Sequence, residues 1–272
     1  MSPGAGGLDG PGRVVEGPSG RDLVRIRAHN PGPMTLSGTN TYVVGRDPAY
    51  VIDPGPDDEA HIDAVRAEGK ARSGIAGVLL THSHADHSAG VESLGAPLLW
   101  GAVSSTDETH WQPDPDVRPA NGAPPEFGVI PTPGHAADHA CFEWRDVLFC
   151  GDLILGEGST IVPPAAFGGS LADYLASLER VGHVEAPLFA PGHGEWITKP
   201  QAKIDEYVAH RAEREHKLLA AIDRGERSRT ALLDAAWDDV PAVLRRAAAM
   251  AMQAHLEKLE AEGILDPAEL IR

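Results

Sequence analysis

Four side chains that can bind a metal ion occupy one short stretch of the chain. The stretch has the pattern H-x-H-x-D-H and contains His82, His84, Asp86 and His87. Neutral imidazole and carboxylate groups are common ligands of zinc and similar divalent ions. Histidines at positions i and i+2 cannot share a helix face, so the spacing predicts a loop. The apolar residues 77–81 before it predict a buried strand that ends at this loop.

Three later positions repeat this arrangement with one ligand each. His135, Asp152 and His193 each follow a glycine that ends a short apolar or β-prone segment. Glycine allows the backbone turn that aims the next side chain into a cleft. Surface histidines without a metal are the alternative. However, the first motif alone would arise by chance roughly once in several hundred chains of this composition.

In this order, over residues 21–200, these motifs resemble the metallo-β-lactamase superfamily. The resemblance implies an α+β fold with an αββα sandwich, and a site for two divalent ions. Zinc is the first expectation, with manganese or iron as alternatives. Asp53 matches the family aspartate that ends a strand and supports the metal loop without being a ligand. The implied ligands are His82, His84 and His135 for one ion, Asp86, His87 and His193 for the other, and Asp152 as the bridge.

Such a site has a definite chemistry. Two ions about 3.5 to 4 Å apart share a hydroxide, lower its pKa and stabilise the charge that develops when it attacks a carbonyl or phosphoryl centre. A protein nucleophile is then unnecessary. Asp86 and His139 are the candidate catalytic residues. His139 follows His135 by four residues, which predicts a hydrogen-bond donor or proton shuttle beside the ligands, with a purely structural histidine as the alternative.

Departures from the common zinc β-lactamases narrow the resemblance. Those enzymes have a cysteine where this chain has Asp152 and an arginine where it has His87. Residues 30–42, 151–159 and 191–194 resemble the lactamase-beta-two-like group, whose members include metal-dependent single-strand endoribonucleases and thioesterases. The predicted function is therefore a dinuclear metal-dependent hydrolase that cleaves single-stranded RNA. The alternative is a thioesterase or glyoxalase II-like acyl hydrolase, and a non-enzymatic metal-bound scaffold is a third hypothesis.

Length and composition are typical of a globular enzyme with an appendage. The chain has 272 residues and is 42% hydrophobic, which is enough for a large core. We predict a flexible tail over residues 1–20, a catalytic domain over 21–199 and a helical, winged-helix-like domain over 200–272. No apolar run reaches the roughly 18 residues of a membrane span. The start of the chain lacks a signal-peptide pattern, which predicts a cytoplasmic protein without a membrane partner. The oligomeric state stays open.

The charge distribution bears on RNA binding. The formal net charge is −17, of which residues 201–272 account for only −3. Basic residues in the appendage could form one phosphate-facing stripe; they are Lys203, Arg211, Arg214, Lys217, Arg224, Arg227 and Arg229. Acidic residues are interleaved with them, so a solvated face of alternating charge is the favoured interpretation. Any RNA binding should then be weak and sensitive to salt.

The secondary-structure pattern is mixed. Cys141 and Cys150 frame a predicted hairpin that turns at Arg145 and Asp146, and we expect buried thiols rather than a disulfide. The motif Ser-x-x-Asp at Ser170 predicts a helix start. Predicted strands cover residues 22–29, 41–45, 49–53, 77–81, 128–131, 140–144, 147–150 and 188–190. Predicted helices cover residues 57–69, 170–181, 200–225, 228–237 and 241–262, followed by a short β-like piece at 263–267.

Overall fold

The computed structural model describes residues 14–17, 20–101, 124, 126–266, 268 and 270. Most of the predicted tail, residues 1–13, 18 and 19, lies outside the described residues. The chain divides into two compact units. The N-terminal unit comprises residues 1–104, 117–125 and 192–194, and the C-terminal unit comprises residues 105–116, 126–191 and 195–272.

The N-terminal unit is built on a six-stranded sheet in which the strands follow chain order. The strands are β1 Val14–Gly17, β2 Gly20–Arg27, β3 Asn40–Val44, β4 Ala49–Ile52, β5 Ile75–Leu79 and β6 Leu98–Trp100. The pairings from β1 to β4 are antiparallel, whereas β4, β5 and β6 run parallel. Strands β1 and β6 were not predicted from the sequence, because both are too short to show a hydrophobic period.

Helix α1, Glu59–Lys70, covers part of this sheet. Asp58 caps its first turn, where the side chain accepts a hydrogen bond from the His61 backbone N–H at 2.9 Å. Ile62 and Val65 on the helix belong to the same buried cluster as residues of strands β2 to β5. Complete burial of such side chains contributes about 1.5 to 3 kcal/mol each, so this packing fixes the sheet that bears the first predicted metal-binding motif.

The C-terminal unit contains a four-stranded sheet in the order β10-β9-β8-β7. The strands are β7 Gly128–Pro131, β8 Ala140–Trp144, β9 Val147–Gly151 and β10 Leu188–Pro191. Trp144 pairs with Val147, which confirms the predicted two-residue turn, and Arg145 takes the positive φ of 54° that this turn requires. Strands β9 and β10 are parallel, and helix α4, Leu171–Gly182, connects them with Ser170 as its N-cap.

Both cysteines of this sheet are free and buried, as predicted. Burial raises the pKa of the Cys141 thiol to about 12 and raises that of Cys150 well above its ordinary value. The thiolate, not the thiol, binds metals and acts as a nucleophile. Neither cysteine is therefore suited to metal binding or catalysis.

The chain ends in helices that share a second core. They are α5 Pro200–Asp223, α6 Arg229–Ala236 and α7 Arg245–Ala261. Leu218, Leu232 and Met252 bury this core, one from each helix. The predicted β-like piece is wrong for its described part, since residues 263–266 form no strand. Local β propensity cannot form a ladder when no partner strand pairs with it.

The favoured interpretation of the basic residues, a solvated face of alternating charge, is wrong for Arg211 and Arg214, and so is the phosphate-facing stripe that was its alternative. Arg211 and Arg214 are only 4% and 5% exposed. Arg214 donates to the Ala236 carbonyl at 2.7 Å and to both carboxylate oxygens of Asp239 at 2.6 and 2.8 Å. Lys217 lies 3.1 Å from Glu213. These cations satisfy groups of the fold itself and are not arranged for a polyanion.

Candidate metal centre

Asp53 organises the first part of the candidate centre. It directly follows β4 and is 2% exposed. Its carboxylate accepts hydrogen bonds from the Thr81 backbone N–H at 2.8 Å and the Thr81 hydroxyl at 2.7 Å, and lies 2.9 Å from His87 Nδ1. Because β4 and β5 are parallel neighbours, the residues after each strand meet at the same sheet edge. Asp53 thus supports the H-x-H-x-D-H segment from behind.

The loop prediction for this segment is right for His82 and His84 and wrong for Asp86 and His87. The latter two lie in a one-turn helix, α2 Ala85–Ser88, and a second short helix, α3 Gly90–Leu94, follows. The His84 carbonyl accepts from the backbone N–H groups of His87 and Ser88 at 2.9 and 3.0 Å. The i, i+2 spacing excluded a helix face only for the first two histidines, and the chain begins its turn immediately after them.

Three of the predicted ligands meet within the N-terminal unit. Asp86 Oδ2 lies 3.2 Å from His193 Nε2 and 3.5 Å from His87 Nε2. The ligand atoms of these three residues all lie within 4.8 Å of one another. His87 and His193 are at most 1% exposed, while the Asp86 side chain is 29% exposed. A divalent ion could bind to all three, with Asp86 on the accessible side.

His82 and His84 lie beside this group. His82 Nε2 is 2.9 Å from His84 Nδ1, and the His82 ring centroid is 4.3 Å from that of His87. The Thr81 hydroxyl lies 3.0 Å from His82 Nδ1, the opposite ring nitrogen. The N-terminal unit therefore assembles five of the seven predicted ligands.

The other two predicted ligands approach each other within the C-terminal unit. His135 Nε2 lies 3.7 Å from Asp152 Oδ2. His135 Nδ1 lies 2.8 Å from the Ile161 carbonyl, which fixes the ring. The glycine before each ligand has a positive φ, 136° at Gly134 and 46° at Gly151. A Cβ atom at Gly134 would collide with the backbone of Tyr174. These positions need glycine, as the sequence predicted.

His139 lies behind the ligands of this unit. It is 2% exposed, its Nδ1 is 2.8 Å from the Thr132 hydroxyl, and its ring centroid is 6.3 Å from that of His135. Thr132 also lies 3.3 Å from the Cys141 sulfur. A ring that is buried and held in this way can orient a neighbour. Its catalytic role stays a prediction.

Sequence reasoning missed the groups that hold His193. The carbonyl of Gly194, the next residue, accepts hydrogen bonds from Arg25 and Arg27 at 3.3 Å each and from Asn40 at 2.9 Å. His193 Nδ1 itself lies 3.3 Å from the Gly38 carbonyl. No local pattern marks these partners, since Arg25 is 169 residues away from Gly194.

His61 also supports the centre, although it stands alone in the sequence. Its Nε2 is 2.8 Å from the Thr41 hydroxyl, which donates to the Asp53 carbonyl at 2.6 Å. Burial lowers the pKa of His61 to about 4, against an opposing effect of Asp58. The ring is therefore neutral at pH 7 and serves as a hydrogen-bonding support of the residue that organises the centre.

The donor set fits divalent metal ions. In four of the histidines, one ring nitrogen lies close to a hydroxyl, carboxylate or carbonyl oxygen, and the second ring nitrogen faces a neighbouring predicted ligand. These histidines are His82, His87, His135 and His193. Partners of this kind fix the tautomer and ring orientation of metal-binding histidines. Imidazole with carboxylate suits zinc, iron and manganese.

Comparison with known proteins identifies the class. Residues 34–125 and 102–193 match the model of the metallo-beta-lactamase superfamily, and residues 229–267 match the beta-lactamase associated winged helix domain. The chain belongs to the metallo-β-lactamase superfamily and is a hydrolase of that superfamily with a C-terminal winged-helix domain. The predicted α+β fold class, with two sheets and helices, is confirmed.

Similar proteins narrow this class to the lactamase-beta-two-like group, as the sequence predicted. The chain is 32% identical over 261 residues to the beta-lactamase-like protein 2 homolog of Caenorhabditis elegans, covering 90% of this chain and 86% of the relative. It is 34% identical over 229 residues to the atrochrysone carboxyl ACP thioesterase of Aspergillus fumigatus, covering 78% of this chain and 69% of the relative.

Solved structures agree on the fold. A metallo-beta-lactamase family protein from Thermus thermophilus is 25% identical with a TM-score of 0.67, covering 89% of this chain and 94% of its own. A beta-lactamase domain protein from Burkholderia ambifaria has a TM-score of 0.70 at 19% identity, covering 95% of this chain and 91% of its own.

Among the described residues, no helix has the length and apolar character needed to cross a bilayer.

Proposed function

We propose that this hydrolase binds two divalent ions and cleaves acyl thioesters. The observation that supports the metal assignment best is the convergence of Asp86, His87 and His193, whose ligand atoms lie within 4.8 Å of one another. The superfamily pattern adds the remaining ligands to this group. The proposed set is His82, His84, Asp86, His87, His135, Asp152 and His193. Zinc is the proposed metal.

The residues of the chain would have distinct roles in this reaction. When bound, two such ions supply activated water and stabilise charge that develops on the substrate. Asp86 is the most accessible member of its cluster, with 29% of its side chain exposed, and would orient water toward the substrate. Thr39 assists, because its hydroxyl lies 3.4 Å from Asp86 Oδ2. His139 would hold a proton near the His135 side.

Three observations favour a thioester over RNA. A relative at 34% identity is named as a thioesterase. In addition, Arg211 and Arg214, which an RNA grip on α5 would need, are buried in contacts with the protein. A net charge of −17 further opposes a polyanion, since phosphate contacts dominate the affinity of nucleic-acid binding proteins. A thioester of a small neutral thiol carries no phosphate groups, so its binding does not require a basic surface.

The test compares both substrates on one preparation. Protein purified without chelator and reloaded with zinc or manganese should contain two ions per chain by elemental analysis. It should release thiol from acyl-N-acetylcysteamine thioesters, and the metal-free protein should not. Asp86→Asn should lose most of this activity. Asp57→Asn, the same change at an exposed residue, should keep it.

Single-stranded RNA is the alternative substrate predicted from the sequence, and the same preparation tests it. A fluorescent single-stranded RNA should stay intact under conditions in which the thioester turns over. Metal-dependent RNA cleavage without thioester turnover would overturn the acyl-hydrolase proposal and retain the metal assignment. A saturating content of one ion would instead remove the dinuclear site.

A further inference from the structure

The segment after strand β9, residues 152–161, begins at one predicted metal ligand and contacts another at its end. It begins with Asp152, and its last carbonyl, that of Ile161, lies 2.8 Å from His135 Nδ1. Between them, the Thr160 hydroxyl donates a hydrogen bond to the Asp152 carbonyl. The conformation of this segment therefore sets the position of one predicted ligand and the ring orientation of another.

Three side chains on one face of helix α5 contact this segment through polar groups. The Tyr207 hydroxyl accepts from the Leu155 backbone N–H at 2.9 Å, His210 Nδ1 lies 3.3 Å from the Ser159 hydroxyl, and Arg211 Nη2 donates to the Thr160 carbonyl. Residues at i, i+3 and i+4 share a helix face, so these three side chains contact successive points along the segment.

Among these three side chains, Arg211 has the largest free-energy cost of burial, because it is charged. Its side chain is 4% exposed, and its guanidinium carbon lies 5.3 Å from the ring centroid of Tyr174. Tyr174 donates to the Leu153 carbonyl at 2.6 Å and so holds the same segment. Burial of a cation is unfavourable unless close partners compensate it, and a neutral donor could hold a carbonyl at lower cost. Stability alone is thus a poor reason for an arginine here.

We propose that Arg211 is a positioning residue of the metal centre. From α5 it fixes the Thr160 carbonyl, and Thr160 in turn fixes the backbone of Asp152, while the adjacent Ile161 carbonyl orients His135. Helix α5 then supports the two proposed ligands of its own unit, His135 and Asp152, in addition to packing in the core of that unit. This role rests on the proposed function, because it requires His135 and Asp152 to bind metal.

The test measures metal binding rather than turnover. Arg211→Met should weaken zinc affinity about 10- to 100-fold in competition with a chromophoric chelator, which is the usual effect of losing a group that orients a ligand. It should also alter the visible absorption spectrum of the cobalt-loaded protein, which reports coordination geometry. Arg211→Lys keeps a donor and should restore part of both. Thr160→Val removes the next link and should act in the same direction.

Arg72→Met is the matched control, because Arg72 is equally buried and also donates to a backbone carbonyl, that of Gly45 at 2.7 Å, which belongs to the N-terminal unit and not to residues 152–161. It should lower the melting temperature of the metal-free protein and leave affinity and cobalt spectrum unchanged. Equal weakening by both methionine variants would overturn the proposal, as would a wild-type spectrum in Arg211→Met. If that variant fails to fold, a wild-type spectrum in Thr160→Val overturns it. Absence of zinc binding by the wild-type protein would instead refute the proposed function, on which the role of Arg211 depends.

Discussion

Replacement of Asp53 by asparagine tests how the metal loop is supported. Asp53 is not a predicted ligand, yet its two oxygens receive Thr81 N–H, the Thr81 hydroxyl and His87 Nδ1 at 2.7 to 2.9 Å. Asparagine offers one oxygen and one NH₂ group in the same space. In either orientation of the amide, one of these donors meets another donor. The change is isosteric, so packing is preserved and only the polar support is altered.

The expected magnitude follows from two effects. A buried donor that loses its acceptor costs about 1 to 3 kcal/mol in the free energy of unfolding. The loss of the carboxylate behind His87 should weaken metal binding about 10- to 100-fold, equivalent to about 1.4 to 2.8 kcal/mol. The weaker metal binding is specific to the centre. Asp53 contacts His87, one proposed ligand, directly, and it fixes the backbone of Thr81, which precedes His82 and His84.

The assay is a zinc titration of the metal-free protein against a chromophoric chelator, with urea unfolding of the same samples. Asp57→Asn is the control, since Asp57 is exposed and lies on the same connection after β4. Asp53→Asn should show weaker metal binding and reduced stability, and the control should match the wild-type protein. Wild-type zinc affinity in Asp53→Asn would refute the reasoning that the carboxylate orients His87.

Two further predictions concern catalysis and stability. Asp152→Asn should reduce kcat/KM far more than His139→Ala, whose loss should cost about 10- to 100-fold. The reason is that Asp152, which the resemblance implies as the bridging ligand, would both position the ions and offset their repulsion. Near-normal turnover in the asparagine variant with both metals bound would remove this proposed role. Burial, with a smaller effect of Arg211, lowers the pKa of His255 from 6.5 to about 3. The unfolded chain therefore takes up a proton between these values while the folded protein does not, so stability should fall as the pH drops through this window, by up to about 1.4 kcal/mol per pH unit. His255→Met should flatten this decline in urea unfolding of the metal-free protein, and an unchanged slope would assign it to other groups.

Much of the architecture followed from local pattern. The hairpin between β8 and β9 was predicted with its turn at Arg145, and α4 begins after Ser170 as its capping motif indicated. Turn and capping signals act between residues a few positions apart, so the sequence shows both partners at once. The short helix α2 and the strands β1 and β6 were not predicted, because elements of three to four residues are too short for a periodic signal.

The superfamily and the proposed ligand set depend on residue types and on glycines next to them, which the sequence displays directly. The residues that support these ligands are not marked in the sequence in this way. Arg25 and Arg27 alternate with apolar residues along β2, a pattern that predicts an exposed polar face, yet both are at most 3% exposed and hold the Gly194 carbonyl.

Arg211 shows the same difference on a helix. By sequence it belongs to a basic stripe that could face solvent, and in the fold it is buried against the Thr160 carbonyl. A charged side chain is buried only when a compensating group lies opposite, and here that group is a backbone carbonyl 51 residues earlier. Every residue offers such a carbonyl, so its position becomes informative only after folding. The sequence therefore determined which chemistry is available, and the tertiary structure decided which cations support it.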